Sequence, residues 1–225
     1  MTDTPRFELY SFWRTSATYR VRVALNLKGL SAQERFIDID AGAQRSEAFL
    51  KLNPLGALPA FVDHAGPKGQ EPLTQSLAIL EYLEEIQPSP PLLPATAAER
   101  ARVRSLCGMV VADTHPLITP RIRKYLTTQA QFDDAAWRRW QTQWFTTGLQ
   151  ALETRLASSA ATGRYCHGES LTLADICLAS ILVVMRVFRI DVAGIPTVER
   201  IMHLCEENEA FARADPLRQE GAPKS

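Results

Sequence analysis

The sequence predicts two architectures in one chain: a mixed α/β first half and an all-helical second half. Three observations predict it. Residues 7–28 read in the order strand, turn, helix, and short strand signals continue as far as residue 75. Four prolines then cluster within residues 88–94, and beyond them long amphipathic stretches run with no strand signal. With 225 residues and 46% hydrophobic content, there is apolar material for one large or two modest domains.

Residues 7–12 have β-rich composition and lead into the polar turn Trp13-Arg14-Thr15-Ser16-Ala17-Thr18. A helix follows over residues 19–28, with Val21, Ala24, Leu25 and Lys28 at helical spacing and Gly29 where a C-terminal stop belongs. Further strands are expected at 34–39, 58–63 and 72–75, and a second helix at 77–87. The segment Gln87-Pro88-Ser89-Pro90-Pro91-Leu92-Leu93-Pro94 is stiff and poor in backbone donors, so it reads as a linker. The expected domains are therefore residues 1–87 and 95–225, joined by 88–94. Amphipathic helices are expected over 98–126, 135–156, 173–188 and 198–212. The strongest local signal among them is Leu171-Thr172-Leu173-Ala174-Asp175-Ile176, where Thr172 caps a helix, Asp175 returns the bond, and Leu171 and Ile176 form a hydrophobic staple. That motif starts a helix and carries no chemistry.

Composition excludes several classes of function. Twenty-five basic residues balance twenty-five acidic ones, so bulk electrostatics draw the chain to neither nucleic acid nor anionic lipid. The first residues lack the basic stretch and apolar run of a secretory signal, and the cysteines are scattered at 107, 166, 177 and 205, so a reduced, cytoplasmic protein is expected. The longest apolar run, 176–185, stops at Arg186 and is too short to span a bilayer. His64, His115, His167 and His203 show no metal-ligand spacing, so no metal is expected, and no nucleophile elbow or phosphate loop is present. Trp137-Arg138-Arg139-Trp140 reads as a helix with one face inward and its arginines in solvent.

Candidate chemistry lies in the first half. A polar turn opening a helix gathers unpaired N–H groups and the positive end of the helix dipole, so Thr15, Ser16 and Ala17 mark an anion site; a thiolate is one such anion. Taken alone, Thr15 and Ser16 also read as ordinary helix caps. Pro59, where the next strand begins, suits an edge or a turn, and a cis bond before it would leave the Leu58 backbone free to pair with an extended peptide; a simple loop proline is the alternative. Ser76 after Gln75 reads as an N-cap whose neighbouring N–H groups could receive a carboxylate, or as a cap alone.

Taken together, these segments resemble the zeta class of glutathione transferases, which includes maleylacetoacetate and maleylpyruvate isomerases. The resemblance is carried by residues 11–25, by Asn53-Pro54 through Leu58-Pro59, and by Gln75-Ser76-Leu77-Ala78-Ile79-Leu80-Glu81-Tyr82-Leu83-Glu84-Glu85. Later matches are residues 171–175, Phe188-Arg189-Ile190-Asp191, and the tail from Ala210 to Pro216. It implies a thioredoxin-like N-terminal domain with an all-helical C-terminal domain, a homodimer, and glutathione as cosubstrate. It places the glutathione sulfur at Thr15 and Ser16, the cysteinyl backbone on Leu58 before a cis-Pro59, and the γ-glutamyl carboxylate at Gln75-Ser76. His115 is placed within reach of glutathione. The small electrophilic acid would meet Arg14, Arg121 and Arg186, with Arg14, Thr15 and Ser16 catalytic. The implied reaction is cis–trans isomerisation of a maleyl-type oxo-diacid in aromatic amino acid catabolism; conjugation of glutathione to haloacids or other electrophiles, or a non-catalytic binding module, are the alternatives. Two departures stand out. Ala17 replaces a frequent cysteine, and Val187 stands where a third arginine is expected, with Arg186 turned about 100° away along a helix.

Overall fold

The computed structural model describes residues 5–67 and 69–223. The chain forms two compact units, one running to Pro91 and resuming at Asn208, the other spanning Leu92–Glu207.

The first unit is built on a four-stranded sheet. Its elements are β1 (Phe7–Ser11), α1 (Ser16–Leu27), β2 (Ala32–Phe36), α2 (Glu47–Leu52), β3 (Ala60–Asp63), β4 (Leu73–Thr74) and α3 (Ser76–Ile86). The strand order is β2-β1-β3-β4, with β1 parallel to β2 and the other pairs antiparallel. A parallel pair needs a crossover connection, and α1 supplies it. Along β1 the side chains of Phe7, Leu9 and Ser11 are buried while Glu8 and Tyr10 between them are half-exposed, the alternation a strand with one packed face must show. Leu9 and Phe61 of the sheet are fully buried, as are Val21 and Ala24 of α1 and Ile79, Leu80 and Leu83 of α3, which packs on α1.

Three details differ from the sequence pattern. β2 begins two residues earlier than expected, because its pairing with β1 runs from Phe7↔Ala32 to Ser11↔Phe36. The six-residue helix α2, too short to show a helical period, is held by Ser46, whose hydroxyl accepts the Phe49 N–H, and by the buried Phe49 ring. Ser76 is the first residue of α3, and the N-cap position belongs to Gln75. The stop at Gly29 is as expected: with φ +66° it lets Leu30 N–H turn back to the Leu25 carbonyl at 2.9 Å.

At that same end of α1, Lys28 Nζ donates to Glu84 of α3 at 2.5 Å and to the Pro90 carbonyl at 2.6 Å. The lysine side chain is 0% exposed and that of Glu84 is 9% exposed. The ammonium thus ties both helices to the proline-rich segment in a place water does not reach.

The second unit is helical: α4 (Ala97–Gly108), a wide π-type turn (Met109–Thr114), a 3-10 turn (His115–Ile118), α5 (Pro120–Gln129), α6 (Asp134–Ala157), α7 (Leu173–Val187) and α8 (Pro196–Glu206). The single helix expected over 98–126 is broken because Pro116 and Pro120 lack N–H groups, and Thr119 before Pro120 is held extended. α7 is buried almost all round and forms the centre of this unit. Its entry follows the expected motif: Asp175, fully buried, accepts from Thr172 N–H and Thr172 Oγ1, both at 2.8 Å, and from Cys166 N–H at 2.7 Å. Burial nonetheless pushes the Asp175 carboxyl above its ordinary pKa, outweighing those donors. Thr114 packs so closely on α6 that a Cβ added at Gly148 would lie 2.2 Å from its hydroxyl. Among the described residues no helix is long and apolar enough to cross a membrane.

The stretch expected as one helix over 198–212 also breaks. Asn208 accepts the Ala210 N–H and opens a short helix, α9 (Glu209–Arg213), which packs on α1 and whose Ala210 carbonyl accepts from Asn26 at 2.8 Å. The tail therefore belongs to the first unit, not to a second domain running to residue 225.

Replacing Lys28 with Met removes the ammonium that joins Glu84 to the Pro90 carbonyl and is expected to cost about 3–5 kcal/mol, the worth of breaking a buried ion pair, whereas Lys28→Met with Glu84→Leu recovers part of the loss. Urea denaturation of the two variants checks this; equal destabilisation by both would show that the pair is not the determinant.

Candidate active site

The sheet register brings three segments to one end of the first unit. Tyr10 pairs with Ala60, and Ala60 pairs with Thr74, so these residues form a row across β1, β3 and β4. Just past the row the chain leads into the turn before α1, into Leu58-Pro59 where it enters β3, and into Gln75 where it leaves β4.

Thr15 is the N-cap residue of α1, with extended backbone, yet its side chain makes no capping bond. Its Oγ1 lies 3.2 Å from the Phe12 carbonyl and 2.5 Å from Thr18 Oγ1. The Ser16 hydroxyl is buried and has no hydrogen-bond partner among the described residues. The first-turn N–H groups of α1 are consequently left without a side-chain cap, and the positive end of the helix dipole stays open to an anion. Beside the turn, Arg14 forms a two-point ion pair with Asp40, at 2.7 and 2.5 Å, and lies over the rings of Phe12 and Trp13.

The Leu58–Pro59 bond is cis, and neither backbone polar group of Leu58 has a partner among the described residues. Gln75 is exposed and sits at φ +69°, ψ +109°, a conformation that costs a non-glycine residue about 1–3 kcal/mol. Its side chain does not cap α3. Ser76 is buried, and its hydroxyl accepts from Arg20 Nε at 2.9 Å. Among the described residues between β1 and Gln87, α2 carries a side-chain cap whereas α1 and α3 do not. Hydroxyl residues stand at the starts of α1 and α3 without capping them, which sets aside the simple capping reading at both.

The remaining sequence-predicted residues lie in the second unit. His115 opens the 3-10 turn and is half-buried, held between the π-type turn and α5. Arg121 is the second residue of α5, exposed, with no ion pair among the described residues. Arg186, in the last turn of α7, is ion-paired to Glu206 of α8, so its charge is already answered. Arg138 and Arg139 are exposed and Trp137 is buried, as the helical period requires, and Arg138 donates to the Phe188 carbonyl at the end of α7. A cavity of about 240 Å³ beside α1, lined by Arg22, Leu30, Glu34 and Arg213 among others, contains none of the predicted site residues.

Sequence reasoning missed Arg20 and Asp40. Arg20 carries a readable signal: an arginine on a helix face otherwise made of Val21, Ala24 and Leu25 must find a partner if buried, and it is 1% exposed. Asp40 carries none, because its role depends on a loop returning beside Arg14.

Two uncapped helix starts, and between them a backbone stretch with no partner among the described residues, thus lie at one end of neighbouring strands, an arrangement that suits an extended ligand with negative charge. Comparison with known proteins gives the class. Residues 5–85 match the family model described as Glutathione S-transferase, N-terminal domain. The chain is 39% identical over 216 residues to a probable maleylacetoacetate isomerase of Vibrio cholerae, covering 95% of this chain and 97% of the relative. It is 38% identical to a maleylpyruvate isomerase of a Ralstonia species, covering 94% and 98%. Among solved structures, it is similar to a maleylacetoacetate isomerase of Methylobacterium extorquens AM1 with bound malonate and glutathione, with 48% identity, a TM-score of 0.92, and coverage of 96% of this chain and 100% of that one. The chain belongs to the zeta-class glutathione transferases, the family of the maleylacetoacetate and maleylpyruvate isomerases.

All four cysteines lie in the second unit and are buried. A hydrogen bond with Cys177 together with burial raises the Cys107 thiol well above its ordinary pKa, and burial raises those of Cys166 and Cys205. Native protein at mildly alkaline pH is therefore expected to resist alkylation at these thiols, with all four reacting after denaturation; mass spectrometry of iodoacetamide-treated samples checks this.

Proposed function

We propose that the chain is a glutathione-dependent cis–trans isomerase acting on a maleyl-type oxo-diacid, maleylacetoacetate or maleylpyruvate. The observation that carries the placement is the row Tyr10–Ala60–Thr74, with an uncapped helix start at each end and the unpaired Leu58 backbone between them. From β1 to β4 the row spans two strand spacings, about 9.5 Å. An extended three-residue peptide reaches about 10 Å. Glutathione fits that frame with its sulfur at Thr15 and Ser16, its cysteinyl backbone on Leu58 beside Pro59, and its γ-glutamyl carboxylate at Gln75 and the first-turn N–H groups from Ser76. Arg20 holds the Ser76 hydroxyl in place beneath it. His115, on a half-buried turn, is the residue of the second unit assigned to glutathione.

When bound, glutathione supplies a thiol nucleophile that adds to the conjugated double bond and is released again after rotation about it, so that none is consumed. The protein's part is electrostatic. The N-terminus of α1 and the hydroxyls of Thr15 and Ser16 favour the thiolate over the thiol. Threonine at position 15 keeps the donor of a serine, and its methyl group narrows the rotamers available. Arg121, exposed and without an ion pair among the described residues, supplies a fork for one substrate carboxylate. Arg14 keeps donors beyond the two spent on Asp40, and it holds charge that develops on the oxo group. Arg186, whose exposed side chain pairs with Glu206 and keeps further donors, is the third arginine proposed for the substrate acid. The malonate-bound relative supports a small dicarboxylic substrate. The homodimeric state and the cytoplasmic location are part of the same proposal, the first resting on the family resemblance and the second on four scattered, unbridged cysteines.

The deciding experiment follows isomer ratio and glutathione concentration together in the presence of maleylacetoacetate or maleylpyruvate. Isomerisation with no net loss of glutathione is expected; stoichiometric consumption would replace the isomerase with a conjugating enzyme. Gln75→Ala combined with Ser76→Ala is expected to weaken glutathione binding about 10- to 100-fold, the worth of a charge-assisted hydrogen bond. Unchanged affinity by calorimetry would move the γ-glutamyl group elsewhere.

A further inference from the structure

Thr18 stands on the first turn of α1, three residues beyond the residue proposed to meet the glutathione sulfur. It is fully buried, and among the described residues its hydroxyl has one hydrogen-bond partner, Thr15 Oγ1 at 2.5 Å. Thr15 Oγ1 lies in turn 3.2 Å from the Phe12 carbonyl, which can only accept. Two hydroxyl protons can be arranged here in two ways. If Thr15 donates to Thr18, the Thr18 proton is left without an acceptor where no water reaches it, and the Phe12 carbonyl loses a donor. If Thr18 donates to Thr15, both protons are used, the second on Phe12. A buried donor without an acceptor is costly, so the second arrangement prevails.

That direction leaves the Thr15 proton on the longer of its two contacts, and it is the proton free to turn toward an arriving anion. Turning does not strip the Phe12 carbonyl, which also accepts the Thr15 N–H at 3.4 Å. Nor does it disturb the bond from Thr18. An oxygen that is already accepting a hydrogen bond is a stronger donor through its own proton. We infer that Thr18 is a positioning residue: its hydroxyl sets the direction of the Thr15 hydroxyl and strengthens the hydrogen bond Thr15 gives to the glutathione thiolate. The inference rests on the proposed contact between Thr15 and the sulfur, and it assigns a role to a side chain that no substrate atom touches.

The test is the ultraviolet absorbance of bound glutathione thiolate against pH, for wild type, Thr18→Val, Thr18→Ser, Thr15→Val and the double variant Thr15→Val with Thr18→Val. Thr18→Ala serves as a second variant lacking the hydroxyl, and circular dichroism verifies folding of each. Thr15→Val is expected to raise the thiolate pKa by about 1–2 units and Thr18→Val by about 0.2–0.6 unit, with Thr18→Ser restoring the wild-type value. In the Thr15→Val background, removing the Thr18 hydroxyl is expected to change nothing further. If Thr15→Val shifts the pKa while Thr18→Val and Thr18→Ala do not, the relay is overturned and the Thr15 contact stands. If removal of Thr18 shifts the pKa equally in both backgrounds, Thr18 acts through packing and the inference fails. If Thr15→Val has no effect, both fail, and thiolate stabilisation passes to Ser16 and the helix start.

Discussion

The candidate site hangs on a register. The paired row Tyr10–Ala60–Thr74 decides that the turn before α1, the Leu58-Pro59 segment and Gln75 emerge at the same end of the sheet. A slip of one residue between β1 and β3 would turn every side chain of one strand to the opposite face, burying what is now half-exposed and dispersing the three segments. The core prevents such a slip. Phe7 and Leu9 on β1 and Phe61 on β3 are all at most 2% exposed, and Phe7 stacks on Phe61 at 5.3 Å between ring centroids. Hydrophobic packing on one face of the sheet thereby sets the geometry of polar groups beyond its edge.

Around that row the protein leaves specific polar groups unanswered while answering others of the same kind. The short helix α2 spends Ser46 on its cap, and α4 has a full capping box from Thr96 and Glu99. α1 and α3 begin with hydroxyl residues and have no side-chain cap, and the Ser16 hydroxyl is buried without a partner among the described residues. Gln75 adds an unfavourable backbone conformation. At this place an uncapped helix start, a buried hydroxyl with no partner among the described residues and the strained Gln75 backbone lie together at the ends of neighbouring strands, which is what a site that expects a ligand requires.

Much of this was legible beforehand, for identifiable reasons. The order strand, turn, helix over residues 7–28, the stop at Gly29 and the Thr172–Asp175 entry to α7 are local features, decided by neighbours in sequence, and they stand, although α1 begins at Ser16, three residues before the expected start. The breaks in the long helical stretches are readable in the sequence, since Pro116, Pro120 and Asn208 all announce them, although the apolar period runs on through them. The partners of the site residues were not readable. Asp40 on Arg14, Glu206 on Arg186 and the return of α9 to α1 are contacts between segments far apart in sequence, and no period or cap encodes them. The same holds for the bond between Thr15 and Thr18: their spacing permits it, but the rotamers that make it are set by the buried surroundings.

Gly148 shows how an empty space can act at a distance along the chain. Thr114 rests where a side chain on α6 would otherwise project, and His115 follows it directly into the 3-10 turn. The depth at which that turn seats against the long helix is therefore set by a methyl group that is missing. Any bulk there would lift the Met109–Ile118 segment outward and carry the imidazole with it, without altering one atom of the histidine. Position 148 thus works as a spacer gauge for the second unit, setting how closely the Met109–Ile118 segment can lie on α6.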